Sequence, residues 1–172
     1  MKRHIQPTTR ERLMREDDFI VSKTDPKGRI TYGNRIFIEF SGYTARELLG
    51  AQHNIIRHPD MPRGVFKLLW DTIGARQECF AYVKNMAKDG GFYWVFANVT
   101  PDYDAQDNVI GYFSVRRKPK REVIDVMADI YREMSAEEQK AGPRDACAAS
   151  LRWLNNVLTQ KGTTYEEFIL SL

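Results

Sequence analysis

Glu78-Cys79-Phe80-Ala81-Tyr82-Val83-Lys84-Asn85, then Lys88-Asp89-Gly90-Gly91, then Phe92-Tyr93-Trp94-Val95-Phe96-Ala97-Asn98-Val99-Thr100: the reading of this stretch decides the fold. Both flanking runs are rich in β-branched and aromatic residues and contain no proline, so each predicts a strand. The Lys-Asp-Gly-Gly between them supplies the turn of a hairpin. A second turn around Asp104–Asn108 leads into a third strand over Val109–Arg117. Upstream, Phe19–Thr24 and Arg29–Gly33 predict two more strands on either side of the turn Asp25-Pro26-Lys27-Gly28. Helices fill the interval. Asn34 stands at a natural N-cap before Ile36, Phe37 and Phe40. Thr44-Ala45-Arg46-Glu47 is a capping box that starts a short helix ending at Gly50. After Pro62, Phe66, Leu69, Trp70 and Ile73 fall at i, i+3, i+4 and i+7, predicting an amphipathic helix whose stripe faces a core. The order implies an α+β domain, a five-stranded antiparallel sheet with helices over one face, rather than a parallel doubly wound sheet.

Outside this block the signals are helical or polar. The first sixteen residues are polar and mixed in charge, and predict a mobile or helical lead-in. Five of the six residues Arg116–Arg121 are basic, with Pro119 breaking the strand. Helical patterns follow over Glu122–Met134, Arg144–Thr159 and Thr163–Ser171, separated by Gly142-Pro143 and Gly162. The chain therefore divides into a lead-in (1–16), a compact domain (17–119) and a C-terminal helical extension (120–172). The stripe of Leu151, Leu154, Val157 and Leu158 suits docking on its own domain, on a second copy, or on another protein.

Composition bounds the function. The chain has 172 residues, 42% hydrophobic and 28% charged, which excludes disorder and collagen-like repeats. A core of this size needs no disulfide or metal, and Cys79 and Cys147 form neither a metal motif nor a disulfide framework. A net charge of +3 is too small to make nucleic acid the default partner, and the short basic run reads as a solvated junction. No run approaches a membrane span, and the charged amino terminus does not read as a signal peptide, so a cytoplasmic protein is expected. Core packing can absorb many of the nine Phe, eight Tyr and three Trp, and a small domain this rich in rings can also enclose a planar ligand. No nucleophile–base pair, phosphate loop or metal spacing stands out. The expectation is a non-enzyme.

The motifs carry a resemblance. Gly28-Arg29-Ile30-Thr31-Tyr32-Gly33-Asn34, Ser41-Gly42-Tyr43-Thr44, His53-Asn54-Ile55-Ile56-Arg57-His58-Pro59-Asp60-Met61-Pro62, Val83-Lys84-Asn85 and Tyr93-Trp94-Val95 resemble the PAS domains of aerotaxis and energy-taxis proteins. Phe80–Asn85 and Phe92–Thr100 are most similar to the stand-alone CetB type, which works beside a membrane transducer. Fused aerotaxis receptors usually carry Trp near the position of Cys79, a departure here. The resemblance implies a PAS fold, non-covalently bound FAD as a redox reporter, and a membrane-bound chemotaxis transducer as partner, met through its HAMP region. Charge and hydropathy predict no nucleic acid partner and no insertion into the membrane, with a homodimer as a further option.

A flavin needs a flat apolar slot, partners for its pyrimidine edge, and positive charge for its phosphates. Asn85 shares strand parity with Cys79, Ala81 and Val83, which places its amide at a ring edge. Light-sensing relatives imply a flavin contact for that Asn. Their photoreactive Cys aligns with His53, so no thiol adduct is expected. Their flavin-facing Gln aligns with Arg116, where a guanidinium would favour a negatively charged reduced ring. Arg57, His58 and Asp60 match residues needed for FAD in aerotaxis receptors. Arg57 suits a pyrophosphate, while Asp60 suits capping the next helix or orienting Arg57. His53 and Asn54 are candidates for ribose or ring contacts, and Asn34 for cap and pocket at once. Phe66, Trp70 and Tyr93 are core residues, one of which can stack on a ring. The rival readings are a haem held by His53 or His58, and a cofactor-free interaction module.

Overall fold

The computed structural model describes residues 5–172. Five strands, β1 (Ile20–Thr24), β2 (Ile30–Gly33), β3 (Cys79–Met86), β4 (Phe92–Tyr103) and β5 (Val109–Arg117), form one sheet in the order β2-β1-β5-β4-β3. Every pairing between strands is antiparallel. The hairpin that decided the fold is in register throughout, with Asn85 opposite Tyr93 and Val83 opposite Val95. Arg116 lies opposite both Ile20 on β1 and Ala97 on β4, in the middle of the sheet.

Between β2 and β3 come α1 (Arg35–Ser41), α2 (Ala45–Leu48), a 3-10 turn (His53–Ile56) and α3 (Arg63–Gly74). Asn34 caps α1 by accepting from the Phe37 N–H. Thr44 and Glu47 close the expected capping box. α3 departs from expectation in what it faces. Its buried residues are Gly64, Val65 and Ile73, while Phe66, Leu69, Trp70 and Ile73 border a cavity against the sheet. A stripe facing an internal space and one facing a packed core have the same period.

The lead-in is extended rather than helical: Arg10 O accepts from Phe92 N at 3.0 Å, and Arg12 N donates to Phe92 O at 2.7 Å. Polar side chains concealed this, because the segment is held by backbone pairing and by the Arg12–Asp89 ion pair at 2.7 Å. Residues 1–4, part of that predicted lead-in, lie outside the described residues.

The extension forms α4 (Arg121–Gln160) and α5 (Tyr165–Ser171). Gly142 breaks α4 with φ 75° and ψ 171°, a left-handed φ that glycine tolerates, and Pro143 starts the next turn. Residues alternate across a strand, so Tyr82 and Trp94 project on the face opposite Val83 and Tyr93. There Tyr131 of α4 stacks on Trp94 (6.2 Å) and its hydroxyl donates to Tyr82 O at 2.6 Å. Leu154 and Leu158 of the predicted stripe are buried within the chain's own core. Helical segments thus lie on both faces of the sheet. No helix among the described residues is long and apolar enough to cross a membrane.

Candidate ligand-binding site

A cavity of about 420 Å³ separates α3 from the sheet, within the range of small-molecule sites. Its floor is small and flat because β3 and β4 place Val83, Ala97 and Val99 there, and its roof is Phe66, Leu69, Trp70 and Ile73. A slot between a flat sheet and an aromatic-bearing helix suits a planar ring system.

Polar groups converge at the floor. Arg116 is only 2% exposed, so the expectation that the basic run is solvated fails at its first residue. β5 alternation turns that residue into the sheet's covered face, while the neighbouring Arg117 is exposed. Its guanidinium lies over the Phe37 ring at 4.8 Å and one Nη donates to Ser22 Oγ. No carboxylate pairs with it, and Nε and the other Nη are buried with no partner among the described residues. Burial draws its pKa down to about 10. A buried charge with open donors is costly unless a ligand completes it. Asn85, 4% exposed, borders the same cavity, and its amide makes no hydrogen bond to another described residue.

His53 also lines the cavity, stacked on Phe37 at 5.9 Å with its Nε2 at 3.1 Å from Ser22 Oγ. Burial, helped by the Arg116 charge, pushes its pKa down to about 3 and keeps the ring neutral. Arg57 is held beside Asn85 by an isolated antiparallel bridge to the edge of β3. Its guanidinium donates to Met61 O at 3.1 Å and sits 4.4 Å from the Phe66 ring centre. Asn54 is exposed at the mouth.

Four expected residues fall outside the cavity lining. Asn34 accepts from Val21 N and Phe37 N and donates to Phe19 O, so its amide is engaged in joining α1 to β1. His58 is buried against Phe92, with Nδ1 accepting from Asp60 N at 3.1 Å. Burial and the Lys84 charge lower its pKa to about 4. Asp60 neither caps α3 nor orients Arg57. It pairs with Lys84 at 2.6 Å, because the turn after His58 carries it over the outer side of β3. Tyr93 is fully buried edge-on to Phe40, packed under α1 rather than open to the cavity.

The structure adds lining residues that the sequence reading missed. Ser22 and Ser114 pair across β1 and β5 on the Arg116 face, and the parity of Ser114 with Arg116 is the signal that points to it. Arg63, Lys67 and Cys147 line the mouth, and nothing in the local sequence of α4 indicates the last of these.

The model of the PAS fold family matches residues 30–116, about half of the chain. This chain belongs to the PAS family. The chain is 35% identical to the aerotaxis receptor of Escherichia coli strain K12 over 136 residues, 79% of this chain and 27% of that protein. A nitrogen fixation regulatory protein of Klebsiella pneumoniae is 29% identical over 105 residues, 61% of this chain and 21% of the relative. The chain thus spans about a quarter of the length of these relatives or less. Among solved structures, a light-oxygen-voltage domain studied with a flavin analogue superposes with TM-score 0.57 at 20% identity, over 64% of this chain and 83% of that one. The dark structure of the blue-light photoreceptor Aureochrome1 LOV gives 0.55 at 23%, over 64% and 81%. These last likenesses concern the PAS fold.

Proposed function

We propose that this PAS protein is a redox sensor that binds FAD non-covalently in the cavity between α3 and the sheet. The observation that carries the reading is Arg116: a buried guanidinium, two of whose nitrogens have no partner among the described residues, lining the same slot as Asn85. An acceptor-rich planar ring answers both needs. A flavin supplies, when bound, a ring that takes up electrons and with them negative charge. Arg116 stabilises that charge in a site of low dielectric. Asn85 orients the ring edge, the sheet excludes water beneath it, and Arg57 with Arg63 and Lys67 offers positive charge to the phosphates at the mouth.

The way out runs through hydrogen bonds on the sheet. Arg116 drawn toward added charge loosens its hold on Ser22, whose hydroxyl also meets His53. That exchange joins β5, β1 and the 3-10 turn, an arrangement whose population a ligand can shift. We infer that the readout partner is a membrane-bound chemotaxis transducer, contacted on its cytoplasmic side near its HAMP region. The kinship with an aerotaxis receptor supports this.

A haem is less well served. His53 Nε2 is engaged with Ser22 and His58 stands away from the cavity, so neither is poised as an axial ligand. A cofactor-free module leaves the Nε and one Nη of Arg116 buried with no hydrogen-bond partner among the described residues. Titration of the purified protein with FAD tests the reading: saturable binding by the wild type and binding at least about tenfold weaker in Arg116→Gln are expected. Equal binding by both proteins would sink it.

A further inference from the structure

The amino end of α3 is built without a local cap. Pro62 occupies the N-cap position and makes no side-chain hydrogen bond, so the first N–H groups of the helix need an acceptor from elsewhere. Glu138 of α4 supplies it. Its Oε2 accepts from Arg63 N at 3.0 Å and its Oε1 from Gly64 N at 2.8 Å, while Ser150 Oγ donates to Oε1 at 2.7 Å. A carboxylate at the positive end of a helix makes strong, charge-assisted bonds. The helices meet closely here: a Cβ on Gly64 would lie 3.3 Å from Ser150 Cβ and collide with its hydroxyl. Arg63 also donates to Pro143 O at 3.4 Å, beside the α4 break.

This docking has a consequence for the cavity. Cys147, only partly exposed, lies between the break and Ser150, and it is the one lining residue that comes from the extension. Arg57 and Arg63 line the cavity with it. We propose that the C-terminal extension is part of the ligand site. Glu138 is the positioning residue that latches it over the mouth, so that ligand occupancy and docking stabilise each other. Coupling of this kind is reciprocal: whatever undocks the extension weakens the ligand by the same factor. The latch stands on its own geometry, while the ligand, a flavin dinucleotide whose phosphates meet Arg57 and Arg63, rests on the function proposed above.

The test uses N-ethylmaleimide on the full chain, with labelling of each cysteine followed by peptide mass spectrometry. Cys79 is buried and reports general loosening. Without FAD, Glu138→Gln is expected to raise the Cys147 labelling rate about tenfold, the scale of one lost charge-assisted bond, and to leave Cys79 unchanged. Ser150→Ala, which removes one of the three bonds, is expected to act in the same direction and serves if Glu138→Gln does not fold. An unchanged Cys147 rate, or an equal rise at both cysteines, overturns the latch. FAD at ten times its dissociation constant is expected to slow Cys147 labelling about tenfold in the wild type, and the constant is expected to rise in Glu138→Gln. Unaltered FAD affinity in that variant overturns the coupling. A wild type that binds no FAD defeats the flavin reading and with it the coupling to that ligand, while the labelling rates without FAD still decide the latch.

Discussion

Replacing Arg116 with Met is expected to move the two states of this protein in opposite directions. Without ligand, Arg116 is 2% exposed and two of its guanidinium nitrogens have no partner among the described residues. Burial draws its pKa down from the ordinary guanidinium value to about 10, which corresponds to about 3 kcal/mol against the charged form. The sign follows: a cation with depressed pKa destabilises the fold fully below about pH 10, and relief comes only as pH rises through that value. Met removes this cost and keeps an apolar stem of similar length over Phe37. It loses the stack on Phe37, about 1 kcal/mol, and the bond to Ser22, about 1 kcal/mol; Ser22 retains His53. The net expectation is a ligand-free protein about 1 kcal/mol more stable, with Tm raised by about 2–4 °C. Thermal melts at pH 7, followed by circular dichroism with and without FAD, measure it. Saturating FAD should raise the Tm of the wild type by several degrees and that of Arg116→Met far less. A ligand-free Tm that falls by several degrees in the variant would refute the reasoning, because Arg116 would then be a structural cation rather than one awaiting a ligand.

Other expectations follow from the same geometry. Asn85→Ala breaks no side-chain hydrogen bond to another described residue, so its stability should change by under about 1 kcal/mol while FAD binding weakens about fivefold or more; unchanged affinity in a binding titration counts against a ring contact. Because the pKa values of His53 and His58 are depressed to about 3 and about 4, both are neutral in the fold and protonate on unfolding. Stability should therefore fall by about 1.4 kcal/mol per pH unit for each of them as pH drops below about 6.5. Urea denaturation at pH 7, 6 and 5 checks this, and a flat profile contradicts the buried, neutral assignment. Gly64→Ala forces a Cβ against Ser150 and should cost about 1–3 kcal/mol by overpacking; denaturant midpoints equal to those of the wild type would show that α3 and α4 are not in close contact.

The parts of the fold legible in the sequence are those set by neighbours in the chain. Asn34 before an apolar run and the Thr44–Glu47 box each cap a helix within four residues, so their chemistry is local. The β3–β4 hairpin is equally local, and its register placed Asn85 on the cavity face from parity alone. What escaped was decided at long range. Glu138 caps a helix more than seventy residues away, and the lead-in is held by backbone pairing to Phe92. His58 and Asp60 lie in a turn whose direction no periodicity encodes, and it carries both outside the cavity lining. The α3 stripe was found but its surroundings were not, because apolar residues read alike whether they fill a core or border a cavity. Arg116 is the instructive case. Its place at the head of a basic run suggested solvent, its alignment with a flavin-facing Gln suggested the cavity, and alternation along β5 turns it inward.

The most direct measurement is the visible absorption spectrum of the purified protein after reconstitution with FAD and removal of unbound ligand. The expected result is a retained flavin spectrum, with vibronic structure in the blue band that marks a ring held away from water, and bleaching on reduction. A protein that retains no flavin, or that instead shows the Soret band of a haem, would contradict the central claim that this cavity is a flavin site.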